Sequence, residues 1–487
     1  MRATPSPAQS LPASDEGIST PVPAAEIDAS CRAPILFLLV SAAVWVVISS
    51  VLGMIGSLKF HAPGLLADSA FFTYGRVHPA ALNALVYGFG MQAGLGVILW
   101  MLAHLGRTRL VGNVGIVMGG ILWNIGMTAG VLGILGGDST GYQLLEMPRY
   151  ATFPLFIGYL MIGIGALLTF HTRRERQLSS SQWFALAALF WFPWIFSTAE
   201  FFLVGHPVRG ALQMVLDSWY VNNLKTVWFG FAGLAAIFYF IPKLIERPLY
   251  SHYIGLFVFW TLALFGSWGA IPPGSPLPEW LPTLSIMGAL LTIVPILAVA
   301  INVYRTKGDC AKIKESRSMK FFLFGTLAYI ISGLAGAVML LRRVSVVVNF
   351  TWFLPAQSQL LLYGFVAITL FGAIYHIVPR LLQTEFPSKG MICGTFFLAA
   401  AGILLYCVPL AIGGILQGLG MNDAAKPFSE VMNSSLVFLR ISTIGDFLML
   451  LANCLLLLNL IRIHVRAGRT VAAAAWAAHS NTAGVRA

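Results

Sequence analysis

The sequence predicts an all-α integral membrane protein with twelve spanning helices, and three observations carry that expectation. The 487 residues are 58% hydrophobic and only 10% charged, with a mean hydropathy of +0.81, more apolar surface than a soluble core of this size can enclose. Apolar runs long enough to cross a bilayer recur along nearly the whole chain. The basic residues between those runs fall on alternate loops, the pattern of a polytopic chain with a fixed orientation.

Taken in order, the apolar runs are 34–56, 79–103, 111–136, 152–171, 182–203, 223–245, 253–271, 283–304, 319–341, 357–380, 390–413 and 434–461. Each is long enough for a hydrocarbon core of about 30 Å at about 1.5 Å per residue. Residues 1–33 are rich in Ala, Ser and Pro and carry Asp15, Glu16, Glu26 and Asp28, which reads as a disordered tail without the basic start of a cleavable signal. A second tail covers 466–487. The longest connection on the basic side, RTKGDCAKIKESRSMK around 305–320, is a short basic loop, so no soluble domain is expected. Small-xxx-small pairs such as Gly115/Gly119 permit close helix approach, and no internal repeat stands out.

Net charge is +12. With Lys243, Lys320 and Arg380 at the span ends counted with their adjoining loops, the termini and even-numbered loops carry 21 of the 30 Lys and Arg residues and the odd-numbered loops seven. That asymmetry places both termini in the cytoplasm of a bacterial-type inner membrane. It reads as a topology signal with some contact to anionic lipid, not as a nucleic-acid surface. The five cysteines, Cys31, Cys310, Cys393, Cys407 and Cys454, are scattered. No CxxC or CxxCH occurs, which excludes covalent c-type heme on this chain and implies no disulfide framework.

Several segments resemble one family. DSWYVNNLKTVWFGFAGLAAIFYFIPKLIERPLYSHYIGLFVFW (217–260), with its FIPK–xx–ERPLYS ending, TGYQLLEMPRY (140–150), LNALVYGFGMQ (82–92) and FGAIYHIVPRL (371–381) are similar to the catalytic subunit of heme–copper oxidases, in particular its cytochrome cbb-type branch. The resemblance extends over about 34–465 and implies a twelve-helix heme–copper oxidase subunit I-like bundle. It also implies two hemes and a copper ion held by six histidines, since such sites need neutral imidazoles fixed on rigid helices.

Those histidines are not where the resemblance places them. The tenth helix of the family carries H-x-H; two residues apart is about 200° on a helix, so the two imidazoles serve hemes on opposite faces. Here these positions are Gln357 and Gln359. The second-helix ligand position, fixed by NALVYGFG, is Ala81; the sixth-helix copper position, fixed by FIPK, is Asn222; the adjacent pair before the eighth helix falls at Ala270 and Ile271. An amide oxygen is a poor heme-iron ligand beside imidazole. The nine histidines present are His61, His78, His104, His171, His206, His252, His376, His464 and His479, and none falls mid-span. His78, about one turn outside the expected position, is the single near miss for heme; the plainer reading is an interfacial residue ending a helix.

Apart from the basic residues at the cytoplasmic span ends, four ionisable residues fall within membrane helices, where charge is costly and often functional: Glu200, Lys225, Arg440 and Asp446. Partnered structural charges are the ordinary explanation. Lys225 lies three residues after Asn222 and so shares its helix face, where an ammonium could supply positive charge in place of a metal. Asn83, Gln92, Asn124 and Asn453 are amides suited to cross-linking helices.

The sequence therefore predicts a heme- and copper-free membrane subunit that keeps an oxidase scaffold and contacts lipid and other respiratory subunits, such as c-type cytochromes. Two alternatives remain open: an active terminal oxidase or nitric-oxide reductase subunit with unusual ligation, and a transporter that reuses the vacated interior.

Overall fold

The computed structural model describes residues 22–269, 271–308 and 316–484, and among these every regular element is helical. Eleven helices have the length and composition to cross a membrane. They are α1 (Ala24–Leu58), α2 (Tyr74–Leu105), α3 (Asn113–Gly136), α4 (Arg149–His171), α5 (Ser180–Gly205), α6 (Ala211–Ile245), α8 (Trp280–Lys307), α9 (Met319–Met339), α10 (Phe353–Leu382), α11 (Lys389–Met421) and α12, whose apolar part is Phe428–Thr470. The remaining predicted span is the shorter α7 (His252–Trp268). It stops at Gly266–Trp268, a 3-10 turn, instead of continuing to 271.

Several helices outrun their apolar stretches. The first starts at Ala24, ten residues before the expected boundary, directly after Pro23. Its polar extension is held by protein: His104 Nε2 lies 2.8 Å from Asp28 Oδ1, Trp100 Nε1 donates to the same oxygen at 3.0 Å, and Arg32 Nε donates to Leu381 O at 2.7 Å. Hydropathy marks where a span leaves the hydrocarbon, not where its backbone hydrogen bonding ends. For the same reason α12 runs on to Gly484, through most of the stretch expected as a tail. These contacts bring the start of α1 together with the ends of α2 and α10. Arg466 of α12 reaches Glu385 O, just after α10, so the start of α1 and the end of α12 share one face, called here the termini face; the opposite side is the far face.

The bundle has an inner and an outer set. In their most apolar windows α2 is 100% buried, α10 94% and α6 83%, whereas the other eight long helices are 39–50% buried. The outer helices pair closely, α3 with α4 and α11 with α12. Gly119 rather than Gly115 makes the α3–α4 approach: a Cβ on Gly119 would stand 2.7 Å from Gly158 O, while nothing lies within 4 Å of Gly115. Gln92, Asn124 and Trp45 tie α2, α3 and α1 together, with Trp45 Nε1 donating to Asn124 Oδ1 at 2.8 Å and Asn124 Nδ2 to Gln92 Oε1 at 3.1 Å.

A local repeat, not seen in the sequence, runs through the inner set. The α-helical ladder of α2 widens to a π-helix over Ala84–Met91, that of α6 over Asn223–Phe229, and that of α10 over Leu360–Ala367. Each widened stretch contains an aromatic pair interleaved with or followed by glycine: Tyr87-Gly88-Phe89, Trp228-Phe229-Gly230 and Tyr363-Gly364-Phe365. A π-turn inside an α-helix recurs at functional positions because the extra residue re-aims neighbouring side chains.

The connector between α3 and α4 closes the far face over α2. Glu146 is 7% exposed and its Oε2 accepts from Asn83 Nδ2 at 2.7 Å. The Tyr87 hydroxyl donates to Leu144 O. Burial pushes the Glu146 carboxyl up to about 7 against the opposing pull of the Asn83 hydrogen bond.

Two outcomes follow. Folded Glu146 holds a proton that an unfolded chain releases near 4.5. Its contribution is therefore complete below that pH and fades as pH rises through about 7, a span of about 3 kcal/mol. Thermal unfolding in detergent should show the melting temperature falling from pH 5 to pH 8, with a clearly shallower fall in E146Q; equal slopes would refute it. A Cβ at Gly418 on α11 would lie 1.7 Å from Val347 O, a backbone atom that cannot swing aside, whereas Gly163 on α4 has nothing within 4 Å. G418A should lose about 1–3 kcal/mol by overpacking and G163A should match or exceed the parent, read as melting temperatures.

Candidate functional site

Four of the six positions that the oxidase resemblance singles out lie beside the π-stretches of the inner helices. Ala81 is three residues before the π-stretch of α2, Asn222 one residue before that of α6, and Gln357 and Gln359 three and one before that of α10. Ala81, Asn222 and Gln357 each precede by six residues the leading aromatic, Tyr87, Trp228 and Tyr363. Each of those aromatics anchors its polar atom in the protein: Tyr87 and Tyr220 share a hydroxyl contact, Trp228 Nε1 donates to Tyr159 OH at 3.2 Å, and Tyr363 OH donates to Asn453 Oδ1 at 2.8 Å.

The structure divides these positions between two places. Ala81 and Gln359 line one cavity of about 90 Å³ near the far face, together with His78, Tyr363, Tyr406 and Asp446. Asn453 Nδ2 donates to Ser50 Oγ at 2.6 Å, extending the Tyr363–Asn453 bond to α1 along this cavity. Asn222, Lys225 and Gln357 lie elsewhere. Asn222 Nδ2 donates to Gly266 O at 2.8 Å and its Oδ1 accepts from Thr226 Oγ1 at 3.2 Å. Gln357 Nε2 donates to Ser332 O on α9 at 3.0 Å. Lys225 turns inward and donates to Ser358 Oγ, between the two glutamines, at 3.2 Å. Ile271 follows α7, with its N–H donating to Ser285 Oγ on α8 at 2.8 Å. Ala270 lies outside the described residues.

Of the four charged candidates only Asp446 lines the cavity. Arg440 is exposed. It sits six residues earlier on α12, about 240° around the helix and so on a different face. Glu200 belongs to a separate buried group at the far face, with Thr152 in hydrogen-bond reach, Arg149 nearby and Oε1 without a protein partner. The electrostatic neighbourhood of Tyr87 and Tyr220 includes both Glu200 and Glu146. Sequence spacing alone did not reveal this group because its members come from four different helices and a loop.

His78 is the fifth residue of α2, near its far-face end, with its ring stacked on Tyr74 at 5.3 Å and 15°. His61, on the loop after α1, contacts Thr443 Oγ1 at 2.6 Å, and burial with the nearby Arg440 charge holds its imidazole below the usual range. His104 and His376 cluster around Trp100 at the termini face, with ring centroids 4.2 and 6.0 Å from it. Among the described residues no three His, Cys, Asp or Glu side chains converge as a metal site.

A bis-imidazole heme needs two facing imidazoles at one depth. The cavity offers one imidazole, an amide, a carboxylate and hydroxyls, and a methyl group stands at Ala81. This donor set does not fit that group, and at Asn222 and Gln357 the amides are already engaged with backbone carbonyls. A second polar concavity, at the termini face, is lined by Arg107, Lys243, Arg247 and Arg380 with Glu175 and Glu246.

Comparison with known proteins gives one consistent answer. The family model "Cytochrome C and Quinol oxidase polypeptide I" matches residues 33–448. A "Cytochrome c oxidase subunit 1 homolog" of Agrobacterium tumefaciens (strain T37) is 26% identical over 400 residues, covering 77% of this chain and 72% of the relative. The bacteroid homolog of Bradyrhizobium diazoefficiens is 25% identical over 455 residues, 88% of this chain and 81% of the relative. The "Cbb3-type cytochrome c oxidase subunit CcoN1" of Stutzerimonas stutzeri is 25% identical over 396 residues, 77% and 81% of the two chains. A cryo-EM structure of a heme–copper terminal oxidase dimer shares the fold, with a TM-score of 0.72 over 89% of this chain and 84% of that one at 14% identity. The chain belongs to the cytochrome c and quinol oxidase polypeptide I family, the heme–copper oxidase subunit I fold.

Proposed function

We propose that this chain is a heme- and copper-free subunit of a respiratory membrane assembly, which keeps the oxidase scaffold without its oxygen chemistry. The observation that carries this reading is the pair Ala81 and Gln359. They line one cavity, as two axial ligands of one heme would, and present a methyl group and an amide. The high-spin and copper positions support it from the other side: Asn222 and Gln357 use their amides to tie α6 to α7 and α10 to α9. Lys225 supplies positive charge beside Ser358, in a region where a metal would otherwise bring it. Dioxygen or nitric-oxide reduction needs redox metals at those positions, so the catalytic work in this reading belongs to other chains. The partners are other respiratory subunits, c-type cytochromes first among them, in a bacterial inner membrane with the basic termini face in the cytoplasm.

The test is purification in mild detergent, followed by a reduced-minus-oxidised spectrum, metal analysis and a heme-stained denaturing gel. This chain should carry neither stoichiometric heme b nor copper, and the heme signal should migrate with separate c-type bands. One heme b per chain would overturn the proposal. A reporter fused after Gly484 should be active only in its cytoplasm-requiring form; activity only in a periplasm-requiring form would reverse the orientation.

A further inference from the structure

The cavity at Ala81 and Gln359 holds a carboxylate that the scaffold role does not use. Asp446 has the Ser57 hydroxyl in hydrogen-bond reach, with Tyr74 and Tyr406 close by. Among the described residues neither Lys nor Arg forms an ion pair with it. An intramembrane carboxylate is costly unless a positive charge or a full set of hydrogen bonds meets it, and one protein hydroxyl is not a full set.

Part of the wall is aromatic, beside serine hydroxyls, Gln359 and aliphatic side chains. Phe60, Tyr74, Trp352 and Tyr406 all line the same space. The Phe60 ring meets Tyr74 at 4.9 Å and 62° and Trp352 at 5.3 Å and 89°, so the walls stand at steep angles to one another. Trp352 Nε1 is buried without a protein partner, a donor left over for a ligand oxygen or a water. The cavity volume of about 90 Å³ is well above the roughly 10–15 Å³ that admits a single water. It is below the roughly 300–1,000 Å³ of drug-sized pockets.

One carboxylate among aromatic rings, with a spare hydrogen-bond donor, is the chemistry that recognises an alkylated ammonium: the rings attract the diffuse positive charge, and the carboxylate neutralises it. An inorganic cation would instead need several hard oxygens free to converge on it, and the serine hydroxyls of this cavity are engaged within the protein: Ser49 with Ala81 O, Ser50 with Asn453, Ser57 with Thr443 and Ser442 with Leu439 O. We propose that this cavity binds a small organic ammonium ion of choline size, entering from the far face, with Asp446 as its counter-charge and the Phe60–Tyr74–Trp352 walls as its cage. The inference rests on the reading that no heme occupies this space.

The full-length chain in detergent should show a melting temperature that rises with choline chloride and with tetramethylammonium chloride, and not with NaCl or KCl at equal ionic strength. Calorimetric titration with choline should show at least tenfold weaker binding in D446N. W352L should weaken binding by a similar factor, and it keeps the test decisive if D446N does not accumulate. No rise with either ammonium salt, an equal rise with KCl, or unchanged binding in both variants would overturn the site. The absorption spectrum of the same sample separates the two claims. A heme-free sample that ignores ammonium ions defeats only this inference, whereas a heme band defeats the cofactor-free reading and this inference with it.

Discussion

The rest of the structure depends on one constraint: α2, α6 and α10 have almost no side that faces lipid or water. Their most apolar windows are 83–100% buried, about twice the share of the outer helices. A polar atom on an inner helix must therefore find its partner in the protein or remain unsatisfied at a cost of roughly 1–3 kcal/mol or more. Close packing adds to this. A Cβ on Gly233 of α6 would lie 2.3 Å from the Phe365 ring of α10, so the inner helices meet across a ring seated on a bare backbone.

In the proposed heme-free reading, that constraint explains how the positions marked by the family resemblance are filled. An imidazole that no longer bound a metal would leave a ring nitrogen buried and idle. Asn222 and Gln357 place amides there that reach backbone carbonyls, at Gly266 and Ser332, and so serve as braces between helices. Ala81 solves the same problem by having no polar atom. The Ser49 hydroxyl donates to its carbonyl at 2.8 Å, which ties α1 to α2 at this point. Asp446 is the carboxylate that faces this cavity, and among the described residues no Lys or Arg forms an ion pair with it, which turns the remaining space from a gap into a candidate binding site.

Much of this was legible in the sequence. Apolar runs located all twelve helices, because hydropathy reports burial in lipid or protein alike. The register of NALVYGFG and FGAIYHIVPR put Ala81 on α2 and Gln359 on α10, and the structure brings them to one cavity. What stayed illegible were properties of the assembled bundle. Helix ends at Ala24 and Gly484 lie beyond the apolar stretches, where backbone hydrogen bonding continues without a hydropathy signal. Arg440 and Asp446 look alike on paper as charges in one span, and only helix rotation separates an exposed arginine from a carboxylate facing a cavity. The π-stretches of the three inner helices escaped notice because their shared aromatic–glycine pattern is short and its spacing to Ala81, Asn222 and Gln357 has meaning only once those helices are seen to be the inner set; a fourth π-stretch, Glu200–Gly205, ends α5.

The most direct test of the account is a cryo-EM map of the assembly purified from its native membrane, read at the space between Ala81 and Gln359. The account predicts density for side chains and small solvent- or ion-sized features there, with Tyr363, Asn453 and Ser50 still joined in one hydrogen-bonded line. A planar macrocycle in that space, with its iron within coordination distance of His78, would contradict it.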